Sequence, residues 1–146
     1  MPRLPDRRVH PETGQELSRG VRPLTLSYRG LETTVQMPGW YAADDPTGED
    51  GLHAPGDMKV SDRALVALKA RAGGLLDPDA IRTIRKRLRL TQRAAGHLIG
   101  GGPNAFQRYE AGEVMISKPA DTALRLLAND PSRVDELRLI RGDTAA

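Results

Sequence analysis

Three consecutive glycines, Gly100-Gly101-Gly102, stand between two short stretches of helical spacing. Glycine has no Cβ, and each one costs a helix interior about 1 kcal/mol relative to alanine. A run of three therefore ends one helix and turns the chain before the next begins. Upstream, Thr91 is placed to cap a helix in which Ala94, Ala95, Leu98 and Ile99 face inward. Downstream, a short helix starts at Pro103 or Asn104, runs to Glu110 and is closed by Gly112. A capped helix, a glycine turn and a second short helix together make the pattern of a helix-turn-helix.

The flanks extend this pattern into a bundle. Asp77 before Pro78 reads as an N-cap with proline in the first turn, after which Ile81, Ile84 and Leu88 recur at helical spacing. A fourth helix starts near Pro119 and carries Ala123, Leu124, Leu126 and Leu127. Asn129-Asp130-Pro131 separates it from a fifth, with Val134, Leu137 and Ile140. Aromatic residues make up only 3% of the chain, so the core has to come from Leu, Ile, Val and Ala, which suits a small helical bundle.

The first 56 residues have a different texture, rich in Gly and Pro and short on helical spacing. Leu24, Leu26 and Tyr28 alternate with Thr25 and Ser27, the pattern of a half-buried strand. Arg29-Gly30 is a plausible turn, and Thr33, Val35 and Met37 continue as a second strand that Pro38-Gly39 is expected to stop, unless Trp40 and Tyr41 extend it. Asp44 to Gly56 is a loop by composition. A linking helix, capped by Ser61, then runs to Gly73-Gly74. The expected architecture is α+β: residues 1–75 hold a small β-hairpin region, its loop and the linking helix, and residues 76–146 hold a five-helix domain.

Charge sharpens the functional reading. The net charge is +3; basic and acidic residues balance over residues 1–76, so the excess lies beyond them. There Arg82, Arg85, Lys86, Arg87, Arg89 and Arg93 occur with no acid between them, an electrostatic footprint for a polyanion, although such a run also suits a solvated helix face. Asn104, Gln107 and Arg108 lie at i, i+3 and i+4 and so share one face of the second helix of the motif. In a helix-turn-helix that helix is the one expected to enter the major groove, where Asn can pair bidentately with adenine and Arg with guanine. Thr91, Gln92 and Arg93 open the preceding helix, where side chains and backbone amides meet phosphate. Arg82 and Lys86 are further phosphate candidates. The same positions have plainer roles open to them: Asn104 as a helix cap, Arg108 paired with Glu110 or Glu113, and Phe106 and Tyr109 as core.

Other classes are less well served. Without cysteine there is no disulfide, thiolate metal site or thiol nucleophile. His10, His53 and His97, with Asp44-Asp45, are the residues an enzyme would use, but they form no nucleophile–base constellation in sequence. No apolar stretch reaches the length of a membrane span, and no signal-peptide core follows Arg3, Arg7 and Arg8, so a soluble, cytoplasmic protein without membrane contact is expected.

The segment GGGPNAFQRYEAG closely resembles the recognition region of MqsA-type antitoxins, in the HigA/MqsA branch of the Xre-like, lambda-repressor-like helix-turn-helix superfamily. The similarity covers Asp79 to Leu139, through IRKRLRLTQRAAGHLIGGGPNAFQRYE and KPADTALRLLANDPSRVDELR. It implies a dimeric C-terminal domain on a palindromic operator of double-stranded DNA. Base-reading Asn and Arg would match Asn104 and Arg108, and Pro119 to Ile140 would carry much of the homodimer contact. It also implies an N-terminal region that binds a ribonuclease-type toxin, as YRGLETTVQMPGWYAADD resembles the family's hairpin. The family holds zinc there with two Cys-x-x-Cys pairs; the positions here are His10 and Thr13, then Ala42 and Asp45. These do not complete a tetrahedral site, so no structural zinc or other cofactor is expected. The alternative reading is a stand-alone Xre-like regulator with no toxin partner.

Overall fold

In the computed structural model, which describes residues 3–143, the alternating segments become an antiparallel sheet. Its strands are β1 (Arg7–Val9), β2 (Glu16–Tyr28) and β3 (Leu31–Tyr41), in the order β1-β2-β3. Tyr28 pairs with Leu31 around the Arg29-Gly30 turn. Both turn residues have positive φ, +48° and +82°, the type I′ geometry whose twist matches that of the strands. The strand β1 was not legible as an element in the sequence.

Pro38-Gly39 does not stop the second strand, which runs on through both to Tyr41. The reason is which edge the proline faces. Trp40 donates to the Leu52 carbonyl at 2.8 Å and accepts from the Leu52 N–H at 3.0 Å, so its backbone groups point away from β2. Pro38 lies two residues earlier and faces the same way, which places its missing N–H on the outer edge, where sheets tolerate proline. Its carbonyl there meets His53 Nδ1 at 2.9 Å.

Leu17, Trp40, Ala42 and Ala54 form the core of this N-terminal part, with Leu52 against them. Trp40 Nε1 donates to the Pro5 carbonyl at 2.8 Å, and the guanidinium groups of Arg8 and Arg19 each lie 4.7 Å from the ring centroid. Arg19 also reaches Asp57 through two bonds of 2.9 Å. Asp57 Oδ2 accepts from the Ala54 N–H at 2.7 Å, closing the 3₁₀ turn Pro55–Asp57 that launches α1 (Met58–Ala72). The linking helix thus begins before Ser61, which is not its cap: Ser61 lies within the first turns and donates to the Met58 carbonyl at 3.1 Å.

Two compact units divide inside α1, Met1–Leu65 and Val66–Ala146. The second contains α2 (Pro78–Arg87), α3 (Gln92–Ile99), α4 (Ala105–Glu110), α5 (Lys118–Asn129) and α6 (Val134–Ile140). Asp77, Thr91 and Ser117 cap α2, α3 and α5 by accepting from Ala80, Ala94 and Ala120. Ile81, Leu88, Leu98, Phe106, Ile116 and Leu124 lie at the centre of one apolar cluster. No helix among the described residues is long and apolar enough to cross a membrane.

Candidate nucleic-acid interface

The glycine run does what its composition demands: Gly100, Gly101 and Gly102 have φ of +123°, +100° and +89°. The turn then packs back on α3, where a Cβ at Gly96 would overlap the Gly102 carbonyl. This fixes α4 against the bundle. Phe106, Tyr109 and Glu110 are buried, and the Phe106 and Tyr109 rings meet edge to face at 5.4 Å. The opposite side of the same short helix is exposed, and it carries Asn104, Gln107 and Arg108.

Asn104 occupies the N-cap position, but its side chain makes no capping bond. Among the described residues neither Asn104 nor Gln107 has an intramolecular side-chain partner. Arg108 Nε lies 3.4 Å from Glu113 Oε2, so of the two pairings open to it in sequence it takes Glu113 rather than Glu110. At the start of α3, the Thr91 hydroxyl accepts from the Ala94 N–H at 3.0 Å, Gln92 is half-buried and Arg93 is exposed. Arg82, Lys86, Arg87 and Arg89 are also exposed.

Arg85 departs from the basic footprint. It is buried, and its guanidinium grips Glu110 through Nε to Oε2 at 2.7 Å and Nη2 to Oε1 at 2.8 Å. A signal for this was present in the sequence: Arg85 stands four residues after Ile81 and three before Leu88, on the apolar stripe itself.

In the N-terminal unit, the four positions the resemblance assigns to zinc do line one cleft, with Gln15, Asp44 and Asp50. Their chemistry does not fit the ion. Ala42 has no donor atom. His10 Nδ1 accepts from the backbone N–H of Glu12 and Thr13 at 3.1 and 3.4 Å, a role that uses the ring's lone pair. The Asp45 carboxylate accepts from Thr47 Oγ1, Gly48 N and Asp50 N. No group of three His, Cys, Asp or Glu among the described residues is placed to hold a metal ion. Arg22 ties this segment down through the backbone, donating to the carbonyls of Asp45 and Ala42 at 2.7 and 3.0 Å.

The histidines stay apart in role as well. His53 faces the Pro38 carbonyl, and His97 on α3 pairs with Asp143 at 3.2 Å. The groups with clearly displaced pKa values belong to ion pairs or the core. The bonds from Arg19 hold the Asp57 carboxyl below its ordinary value, and burial raises the Tyr41 phenol, which donates to the Met37 carbonyl at 2.7 Å.

The family model for MqsA, the antitoxin component of bacterial toxin–antitoxin systems, matches residues 10–138. The chain is 29% identical over 128 residues to Antitoxin MqsA of Escherichia coli (strain K12), a match covering 84% of this chain and 93% of the relative.

Proposed function

The chain belongs to the MqsA family, the antitoxin component of bacterial toxin–antitoxin systems, and on that premise we propose that it is a dimeric autorepressor as well as an antitoxin. The family implies a cognate toxin as partner. In this reading residues 1–75 bind a ribonuclease-type toxin and residues 76–146 bind a palindromic operator in the protein's own promoter. The protein acts by binding, not by catalysis.

The observation that carries the DNA reading is the two-sidedness of α4. Phe106, Tyr109 and Glu110 anchor one side, which leaves Asn104, Gln107 and Arg108 together on the other. An amide and a guanidinium on one short exposed face match the hydrogen-bonding edges of adenine and guanine in the major groove. Arg82, Lys86 and Arg93 supply the charge that phosphate requires. Two copies would seat their α4 helices in successive major grooves, about 34 Å apart.

The test is equilibrium binding to a fluorescent duplex carrying the protein's own promoter. Asn104→Ala and Arg108→Ala should each cost about 1–3 kcal/mol of specific binding and relax sequence preference. Wild-type affinity in both variants removes α4 as the reading helix. Co-expression with the product of the adjacent reading frame tests the second half: a stable complex and relief of growth arrest are expected. Operator binding without either would leave a stand-alone regulator.

A further inference from the structure

We propose that Glu113 is a positioning residue for Arg108, aligning its guanidinium for guanine and lowering binding to every other sequence. The proposal rests on the reading of α4 as the base-reading helix. Its observation is the backbone lock at the C-terminus of that helix. Gly112 has φ +73°, its N–H donates to the Tyr109 carbonyl at 3.2 Å, and the Glu113 N–H donates to the Arg108 carbonyl at 3.0 Å. These are the two bonds of a Schellman motif, which brings the residue after the left-handed glycine over the residue three places before the helix cap.

In such motifs that juxtaposition is frequently an apolar contact. Here the two side chains are Arg108 and Glu113, with Nε 3.4 Å from Oε2. The backbone thus brings the two residues side by side, which favours the contact over that of an unconstrained surface pair. The carboxylate approaches Nε, so Nη1 and Nη2 stay available for the paired acceptors O6 and N7 of guanine. Both side chains remain about half exposed, at 54% and 56%, so the fork can reach a partner in solution.

The charge has a second consequence. A carboxylate beside the groove repels the phosphates of any duplex. Only a sequence offering guanine to the aligned fork recovers that loss. Because that repulsion is common to all duplexes it cancels in the promoter-to-scrambled ratio, and it is the alignment of the fork for guanine that widens the gap between operator and random DNA.

The experiment compares affinity for the promoter duplex with affinity for a scrambled duplex of equal length at fixed salt. Glu113→Ala keeps both backbone bonds and removes only the carboxylate. It should tighten scrambled-duplex binding and lower the promoter-to-scrambled ratio roughly two- to fivefold, the size an exposed pair supports. Glu113→Gln, which retains an acceptor for Nε, should lie between wild type and Glu113→Ala. In an Arg108→Ala background, Glu113→Ala should leave the ratio unchanged. The Arg108 Nε–H resonance should move in Glu113→Ala protein free of DNA.

An unchanged ratio in Glu113→Ala, with Arg108→Ala lowering it, overturns the positioning role and leaves the α4 reading intact. An equal fall in both backgrounds overturns it too. An Arg108→Ala ratio equal to wild type overturns the base-reading assignment and this proposal with it.

Discussion

Arg85 of α2 and Glu110, the last residue of α4, form a two-bond ion pair whose side chains are only 11% and 5% exposed. The third donor of the fork, Nη1, reaches the Leu90 carbonyl at 2.8 Å, so one guanidinium ties the end of α2 to the end of α4. Removing one partner strands a buried charge. Glu110→Ala should therefore cost about 3–5 kcal/mol, a large part of a small domain's stability. Urea unfolding followed by far-ultraviolet circular dichroism checks this. Arg85→Lys should recover little, because an ammonium cannot reproduce the two-bond geometry. A loss under 1 kcal/mol for Glu110→Ala would mean that the pair does not hold α4.

The Arg19–Asp57 pair gives the N-terminal unit a pH dependence of definite sign. Hydrogen bonds from Arg19 are the main cause that holds the Asp57 carboxyl below its ordinary value of 3.8. A folded-state pKa below the unfolded one stabilises the fold above the unfolded value, and that stability is lost as pH falls through the lowered one. Trp40, the single tryptophan, touches Arg19 and so reports on this unit. Its fluorescence should hold down to the ordinary carboxylate range and change below it. Asp57→Asn should flatten the acid limb and lower stability at neutral pH by about 1–3 kcal/mol. An acid limb unchanged in Asp57→Asn would assign the transition to other carboxylates.

Hydrogen bonds hold the chain around His10, Thr13, Ala42 and Asp45, the positions that the resemblance assigns to zinc. Chelation by EDTA should leave the Trp40-detected melting temperature unchanged, and added zinc should not raise it. Asp45→Ala, which strands three donors, should lower it, as should Arg22→Ala, which frees the carbonyls of Ala42 and Asp45. A fall in melting temperature on chelation would show that metal does contribute folding energy here.

What the sequence disclosed follows the range of the interactions. The caps at Asp77 and Thr91 and the glycine turn depend on neighbours within four residues and were legible, whereas the cap at Ser117, two residues ahead of the expected start near Pro119, was not singled out. The exposed trio on α4 was legible because Phe106 and Tyr109 claim the other face. Pro38 misled because its effect depends on which strand edge its nitrogen faces, and that is set by Leu52, a residue well downstream. Arg85 misled because a charge count ignores position on the helix wheel, and its partner Glu110 lies on another helix. The Asp57 turn, which starts α1 ahead of Ser61, rests on Arg19 in β2. Leu126 and Ile140 satisfied the apolar pattern of their helices yet are exposed, since periodicity alone cannot separate a core from an association face.

On the proposal that the protein is a dimer, that exposed set is where the two copies would meet. Leu126, Leu139 and Ile140 are 59%, 72% and 67% exposed. Leu126 and Ile140 line a groove with Ala123, Leu127 and Leu137, bordered by the Arg133–Glu136 pair. An apolar patch of this kind on a small domain marks a binding surface, and its place on α5 and α6 is where the resemblance to the MqsA family would put the dimer contact. Ile140→Asp, at a position that contributes nothing to the buried core, should leave the fold intact and shift the protein to monomer in sedimentation equilibrium. Operator affinity should fall, and the slope of log affinity against log salt should drop by roughly half, because each monomer then contacts the phosphates of one half-site. A variant that remained dimeric with an unaltered salt slope would move the dimer contact away from α5 and α6.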